Sequence, residues 1–249
     1  MEYVTDLHIH TSGIASCPTA TPEEMVECAI SAGLTTVVLT NHVSKGALKK
    51  AGLSAAYDAG AEGEEAAQAW YAFCDKLKAE YDRAVASAAG RLNVIYGAEF
   101  RDPITNSDFL IYGVTDEIMR DLDGIIKQKI KYASPRFREA GCLVYQAHPF
   151  RNGQTITSTD LLDGIEVCNF NIKVDSRNDI ALLWEKMMGK KGVCGSDFHH
   201  PDSAMGGGIV TDEPITDNET LVRILRDGAF TVKRHYDPRS IWKDPFAEN

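Results

Sequence analysis

Asp6-Leu7-His8-Ile9-His10-Thr11, followed by Thr21-Pro22-Glu23-Glu24 and by Thr35-Thr36-Val37-Val38-Leu39-Thr40-Asn41-His42, is the stretch from which the fold is read. The chain enters an apolar strand directly at its start. Thr21 supplies an N-cap, Pro22 the first helical position and Glu24 the reciprocal half of a capping box, so a helix runs from there to Gly33. The β-branched run that follows reads as a second strand ending near His42. Strand, helix, strand is one β/α unit, and the alternation recurs along the chain.

Further strands are expected at residues 92–96, 109–112, 142–147, 165–168, 193–195 and 230–233. Trp70, Phe73, Leu77, Tyr81 and Val85 recur at helical spacing and read as core packing. A helix from Asp116 carries Ile118, Leu122, Ile125, Ile126 and Ile130 on one side, and Ser134-Pro135 caps a shorter one that stops at Gly141. Residues 179–188 and 219–225 complete the helices. The Gly/Ala-rich segment 44–61 reads as a loop over the site, and Gly206-Gly207-Gly208 as a flexible turn beside it. Roughly seven such units predict an α/β fold, a distorted (β/α)7 barrel of the TIM-barrel kind. With no Pro/Ser/Gly-rich linker, residues 1–249 are expected to form a single domain.

The chain has 249 residues, 44% of them hydrophobic, enough to bury a large core. A formal charge of -10 opposes broad contact with nucleic-acid backbones or anionic membranes. Cys17, Cys28, Cys74, Cys142, Cys168 and Cys194 form no CxxC pair and read as reduced thiols, which with the absence of a signal peptide or apolar anchor predicts a cytoplasmic protein.

Seven short stretches each join an apolar run to a metal-seeking side chain, and they hold five of the seven histidines. They are centred on His8/His10, His42, Glu99, Asp108, His148, Glu166 and Asp197/His199. His8 and His10, two apart on a strand, share a face and can chelate one ion. Barrel strands carry catalytic groups at their C-terminal ends, where His8, His10, His42, Glu99, His148, Asp197 and His199 fall. A buried carboxylate costs several kcal/mol unless it is paired or binds a cation, so convergence of these ends predicts metal. Imidazole and carboxylate donors favour Zn, Mn or Fe, and seven candidates imply two or three divalent ions, with Glu99 able to bridge.

In order and identity these motifs resemble the polymerase and histidinol phosphatase (PHP) family of metal-dependent phosphoesterases, over nearly the whole chain. The resemblance implies that His8, His10, Glu99 and Asp197 hold one ion, His42 and His199 a second, and Glu99 with His148 a third. Asp6 is assigned to orient a ligand imidazole or to hold the strand. Asn41 stands where the family often has Asp, the loop 12–18 offers neither His nor acid, and Asp108 replaces a further His. Cys17 is weighed as a thiolate filling that loop vacancy and reads rather as a packed or exposed thiol, and Asp108, ahead of its strand, is expected to point away from the site. Arg151, then Arg101, are the candidates for binding phosphate. His200 and His235 are not expected to be ligands, and Asn169 and Asn178 are expected to bond loop backbone.

The function so implied is hydrolysis of a small phosphorylated substrate, a phosphomonoester or nucleotide, by a metal-activated hydroxide with no protein nucleophile. Nucleic acid beyond short oligonucleotides is not expected, since no basic channel with stacking aromatics is present. The rivals are a metal-dependent binding or regulatory protein, an exonuclease-like phosphodiesterase and an amide hydrolase.

Overall fold

The computed structural model describes residues 2–54 and 63–234. The strands are β1 (Tyr3–Ile9), β2 (Thr36–Leu39), β3 (His42–Val43), β4 (Asn93–Tyr96), β5 (Ala98–Arg101), β6 (Asp108–Tyr112), β7 (Leu143–Gln146), β8 (Gly164–Asn169), β9 (Val193–Gly195), β10 (Gly208–Thr211) and β11 (Thr231–Lys233). The helices are α1 (Pro22–Ser31), α2 (Lys45–Lys50), α3 (Glu64–Ala88), α4 (Asp116–Asp121), α5 (Ile130–Glu139), α6 (Asn178–Met188) and α7 (Asn218–Asp227). Among the described residues, no helix is long and apolar enough to cross a membrane.

The strands form two mixed sheets, ordered β11-β10-β1-β2-β4 and β3-β5-β6-β7-β8-β9, which corrects the expectation of a closed barrel. The reason lies at β1. Antiparallel β10 occupies the edge of its first half, pairing Tyr3 with Thr211 and Thr5 with Ile209. Only the last turn of that edge is free to meet the other sheet, through the isolated bridge Ile9–Phe198 and the His10 N to Phe198 O bond of 3.0 Å. The sheets nevertheless share an interior. Leu7, Val38, Ile95, Leu110, Leu143 and Val193, from strands of both, pack in one buried cluster, each large side chain contributing about 1.5–3 kcal/mol on burial.

A second correction concerns direction: β6 runs antiparallel to both β5 and β7, so its first residue lies at the rim where those strands end or continue toward the site. Pairing of Arg101 with Asp108 marks that rim.

The helix expected from Asp116 is broken. Gly124, at φ 77°, separates α4 from a 3-10 turn at Ile125–Lys127, and α5 begins at Ile130, with Pro135 inside it rather than at its start. The cap comes from afar: Asp102 Oδ2 accepts from Ile130 N at 2.7 Å. Residues 45–50, read as loop, form a short helix because Ser44 accepts from Ala47 N at 3.1 Å. Residues 55–61 of that expected loop lie outside the described residues, as does His235. Trp70, Phe73 and Leu77 are buried as expected, whereas Val85 is exposed.

The triple glycine is packed rather than flexible. A Cβ on Gly207 would stand 2.1 Å from the Phe170 ring, and one on Gly208, which opens β10 at φ 144°, would stand 2.1 Å from Thr5 O.

Candidate metal centre

The seven expected ligands fall into overlapping groups of neighbouring donors, His8 and His10 beneath the cavity that the other five line. His8 and His10 come from the end of β1, His42 from β3, Glu99 from β5, His148 from just past β7, and Asp197 and His199 from the segment after β9. His8 Nε2 lies 3.0 Å from His10 Nε2, 3.2 Å from Glu99 Oε1 and 3.5 Å from Asp197 Oδ1. His10 Nε2 lies 3.4 Å from Asp197 Oδ1 and 3.6 Å from Glu99 Oε2. Donors around a tetrahedral ion at about 2.0–2.2 Å stand roughly 3.3–3.6 Å apart, a spacing that His8, His10 and Asp197 approach as a group, with Glu99 beside both imidazoles. Further groups, His10/His42/His199 and Glu99/Asp108/His148, also bring donor atoms within 4.8 Å of one another. The fully buried His10 and the nearly buried His148 each leave Nδ1 without a hydrogen-bond partner.

Local structure holds this geometry. Thr40 Oγ1 accepts from Ile9 N at 3.0 Å, tying β2 to the end of β1. Asn41 clamps Thr11 twice: its Oδ1 accepts from Thr11 N at 2.8 Å and its Nδ2 donates to Thr11 Oγ1 at 2.9 Å. An ionised Asp could only accept, which accounts for the amide at this position. His148 and Asp197 take left-handed backbone, φ 27° and 50°, a conformation that costs about 1–3 kcal/mol and recurs at functional sites.

Glu166 and Asp108 act differently from the sequence reading, while Asp6 takes the strand-holding one of its two expected roles. Asp6 touches no imidazole; its Oδ1 accepts from His8 N at 3.1 Å and Ser196 N at 3.0 Å, joining β1 to the end of β9. Burial raises the Asp6 carboxyl to about 6 despite those bonds. The imidazole is held instead by Glu166, which was among the seven stretches but not among the expected ligands. Its Oε1 lies 2.9 Å from His8 Nδ1, and its Oε2 accepts from His148 N at 2.9 Å and Asn169 Nδ2 at 3.0 Å. Asp108 does not point away, because antiparallel β6 turns its start toward the pocket. Its Oδ2 lies 4.0 Å from His148 Nε2. Cys17 Sγ, from the loop after β1, lies 3.3 Å from His42 Nε2.

Of the two arginines, Arg151 is embedded. Its Nη2 donates to Asp197 Oδ2 at 2.7 Å, Asn169 Oδ1 at 2.9 Å and Ser176 Oγ at 3.0 Å. Arg101 is more open and grips Asp108 through Nε and Nη2 at 2.6 and 2.9 Å. Both line a cavity of about 360 Å³ that also reaches Cys17, Lys173, His199 and His200. His200 makes a 2.7 Å bond to Thr19 Oγ1 near its rim. Asn178 bonds the backbone of Asn169 at both N and O, 3.0 Å each.

The electrostatics favour positive charge here. Burial opposes protonation of His8, yet Glu166, Asp197 and Glu99 hold it well above the ordinary imidazole range. Burial also opposes His42, but Glu99 lifts it to about 10. His10 moves the other way, lowered by burial and by His42 and His199. Burial would raise Glu99, but His42 and His8 hold it well below the carboxylate range; His8 and Arg151 do the same for Asp197. Glu99, Asp108, Glu166 and Asp197, all buried, draw positive charge inward, and His8 and His42 are the imidazoles they favour in protonated form. Divalent cations fit that demand without protons.

No family model and no curated protein matches the chain. Solved structures do. A two-domain protein from Bacteroides vulgatus containing a predicted PHP-like metal-dependent phosphoesterase aligns with TM-score 0.66 and 16% identity, over 94% of this chain and 65% of that one. PsfC from Pseudomonas syringae aligns with TM-score 0.60 and 14% identity, over 93% and 89%. A protein from Bifidobacterium adolescentis, assigned as a metal-dependent phosphoesterase, aligns with TM-score 0.53 and 16% identity, over 90% and 96%. The chain thus spans 65% of the length of the Bacteroides protein. At 14–16% identity the likeness is one of fold: this chain shares its fold with these three structures.

Proposed function

We propose that residues 1–249 form a single-domain, metal-dependent hydrolase of phosphate esters acting on a small phosphomonoester or nucleotide. The observation that supports this reading is the buried cluster in which His8 Nε2 and His10 Nε2 each lie within 3.0–3.6 Å of one another and of a Glu99 and an Asp197 oxygen. His8, His10, Glu99 and Asp197 hold one ion; His42 and His199 a second; Glu99 and His148, joined by Asp108, a third. Zn, Mn or Fe bound there supplies Lewis acidity that activates water and neutralises charge on phosphate oxygens.

The chain's own residues do the rest. Glu166 holds the His8 ring so that Nε2 faces the donors. Arg151 positions Asp197, while Arg101 and the exposed Lys173 bring positive charge to the cavity that receives the phosphate. The cavity of about 360 Å³ suits a small substrate rather than a polymer. All six cysteines are unpaired, in keeping with a cytoplasmic location.

The test is chelation followed by restoration of Mn or Zn, assayed on a panel of phosphomonoesters, nucleotides, a phosphodiester and a cyclic amide. Phosphomonoester hydrolysis that is lost and regained supports the proposal. Activity indifferent to both treatments overturns it, and metal uptake without turnover assigns the protein to binding instead.

A further inference from the structure

Cys17, His42 and His199 reach the cavity from three separate segments and meet there. Cys17 Sγ lies 3.3 Å from His42 Nε2, and His199 lines the same cavity. The other nitrogen of each imidazole faces an oxygen. His42 Nδ1 lies 2.6 Å from Glu99 Oε2, and His199 Nδ1 lies 2.9 Å from Asp197 O. An Nδ1 held by a backbone carbonyl, as that of His199 is, is an arrangement of metal-ligating histidines that leaves the Nε2 lone pair for the ion.

The Cys17 loop is tied to the same site. Thr19 N and Ala20 N both donate to His199 O, at 2.8 and 3.2 Å, and Gly13 N donates to Glu80 Oε2 at 3.3 Å. A Cβ on Gly13 would stand 2.3 Å from the Glu80 carboxyl, so the loop lies flush against α3. A third imidazole flanks the cluster: His10 stacks on His42 with ring centroids 4.2 Å apart, and its fully buried Nδ1 has no hydrogen-bond partner.

We propose that Cys17 is a thiolate ligand of the ion held by His42 and His199, giving that position one sulfur and two nitrogen donors and a preference for Zn(II) over Mn(II). This rests on the reading of the pocket as a metal centre. Sulfur donors select softer ions, and a three-ligand set with the cavity on its open side leaves room for water or a substrate oxygen. Ion binding breaks the S–H bond of Cys17, forms an S–metal bond and releases the proton to solvent.

The test uses Co(II) on chelator-treated full-length protein, comparing wild type with C17S by absorption and metal count. Wild type should develop a near-ultraviolet sulfur-to-cobalt charge-transfer band at saturation. C17S should lack it, and Zn(II) affinity at that position should fall at least about tenfold, with a smaller change for Mn(II). Two or more ions bound without the band, or with the same band in C17S, overturns the assignment of Cys17 and leaves the metal centre standing. Failure of wild type to bind any divalent ion overturns both.

Discussion

His8 Nδ1 and Glu166 Oε1 lie 2.9 Å apart with both side chains shut off from solvent. The same carboxylate, through Oε2, caps the His148 amide at 2.9 Å. One buried acid therefore orients an imidazole at one proposed ion and fixes the backbone of a histidine at another. Glu166→Gln replaces an acceptor with an NH2 donor that must face either the His8 ring or the His148 amide. Metal affinity should drop about 10–100-fold, with about 1–3 kcal/mol of stability lost through the unpaired donor. Calorimetric metal titration and urea unfolding measure the two effects, and unchanged affinity would remove Glu166 from this assignment.

Asp108 belongs to the third donor group with Glu99 and His148. Asp108→Asn keeps the shape but removes the charge, and also loosens Arg101, which Asp108 holds at 2.6 Å. Elemental analysis of the purified variant should find about one ion fewer per chain, while the ion at His8, His10, Glu99 and Asp197 remains. An unaltered metal count contradicts the prediction.

Metal removal should reverse the pH dependence of stability contributed by His42. Its pKa rises from 6.5 to about 10 in the metal-free fold, Glu99 supplying the lift against burial. A raised folded-state pKa gives stability that is fully present below 6.5 and is lost as pH climbs toward 10. Chelated protein should weaken across that window. Metal affinity moves the other way, because fewer protons compete for the imidazole as pH rises. Melting curves from pH 6 to pH 9, with and without saturating Zn, should diverge with increasing pH; parallel curves would contradict this. At a metal concentration of about 100 times Kd the bound form gains about 2.7 kcal/mol, roughly 5–10 °C for a chain of this size.

Gly195 closes β9 directly against His8, where an added Cβ would come within 2.3 Å of His8 Cβ and 2.8 Å of His8 N. Gly195→Ala must push the backbone of β1 or β9, costing about 1–3 kcal/mol and moving His8 relative to Asp197. Denaturant midpoint and metal affinity should fall together. A drop in midpoint alone would mean that the strand shift stops short of the ligands.

The legible part of this protein was whatever short-range pattern encodes. The capping box at Thr21 and Glu24 forms both reciprocal bonds, and the two-residue spacing of His8 and His10 does bring their rings together at 3.0 Å. Misread features share a dependence on distant partners. The start of α5 is capped by Asp102, and the packing of Gly207 and Gly208 is set by Phe170 and Thr5.

By itself the sequence determined most of the strands and helices and which metal-seeking side chains stand at strand ends, because periodicity, caps and β-branched runs act over a few residues. Tertiary structure alone decided strand direction and sheet closure. The antiparallel pairing of β6 brought Asp108 inward, the edge taken by β10 kept β9 from closing on β1, and Glu166, Arg151 and Cys17 acquired their partners. Those outcomes depend on hydrogen bonds and buried charges between residues far apart in the chain, and no local pattern carries them.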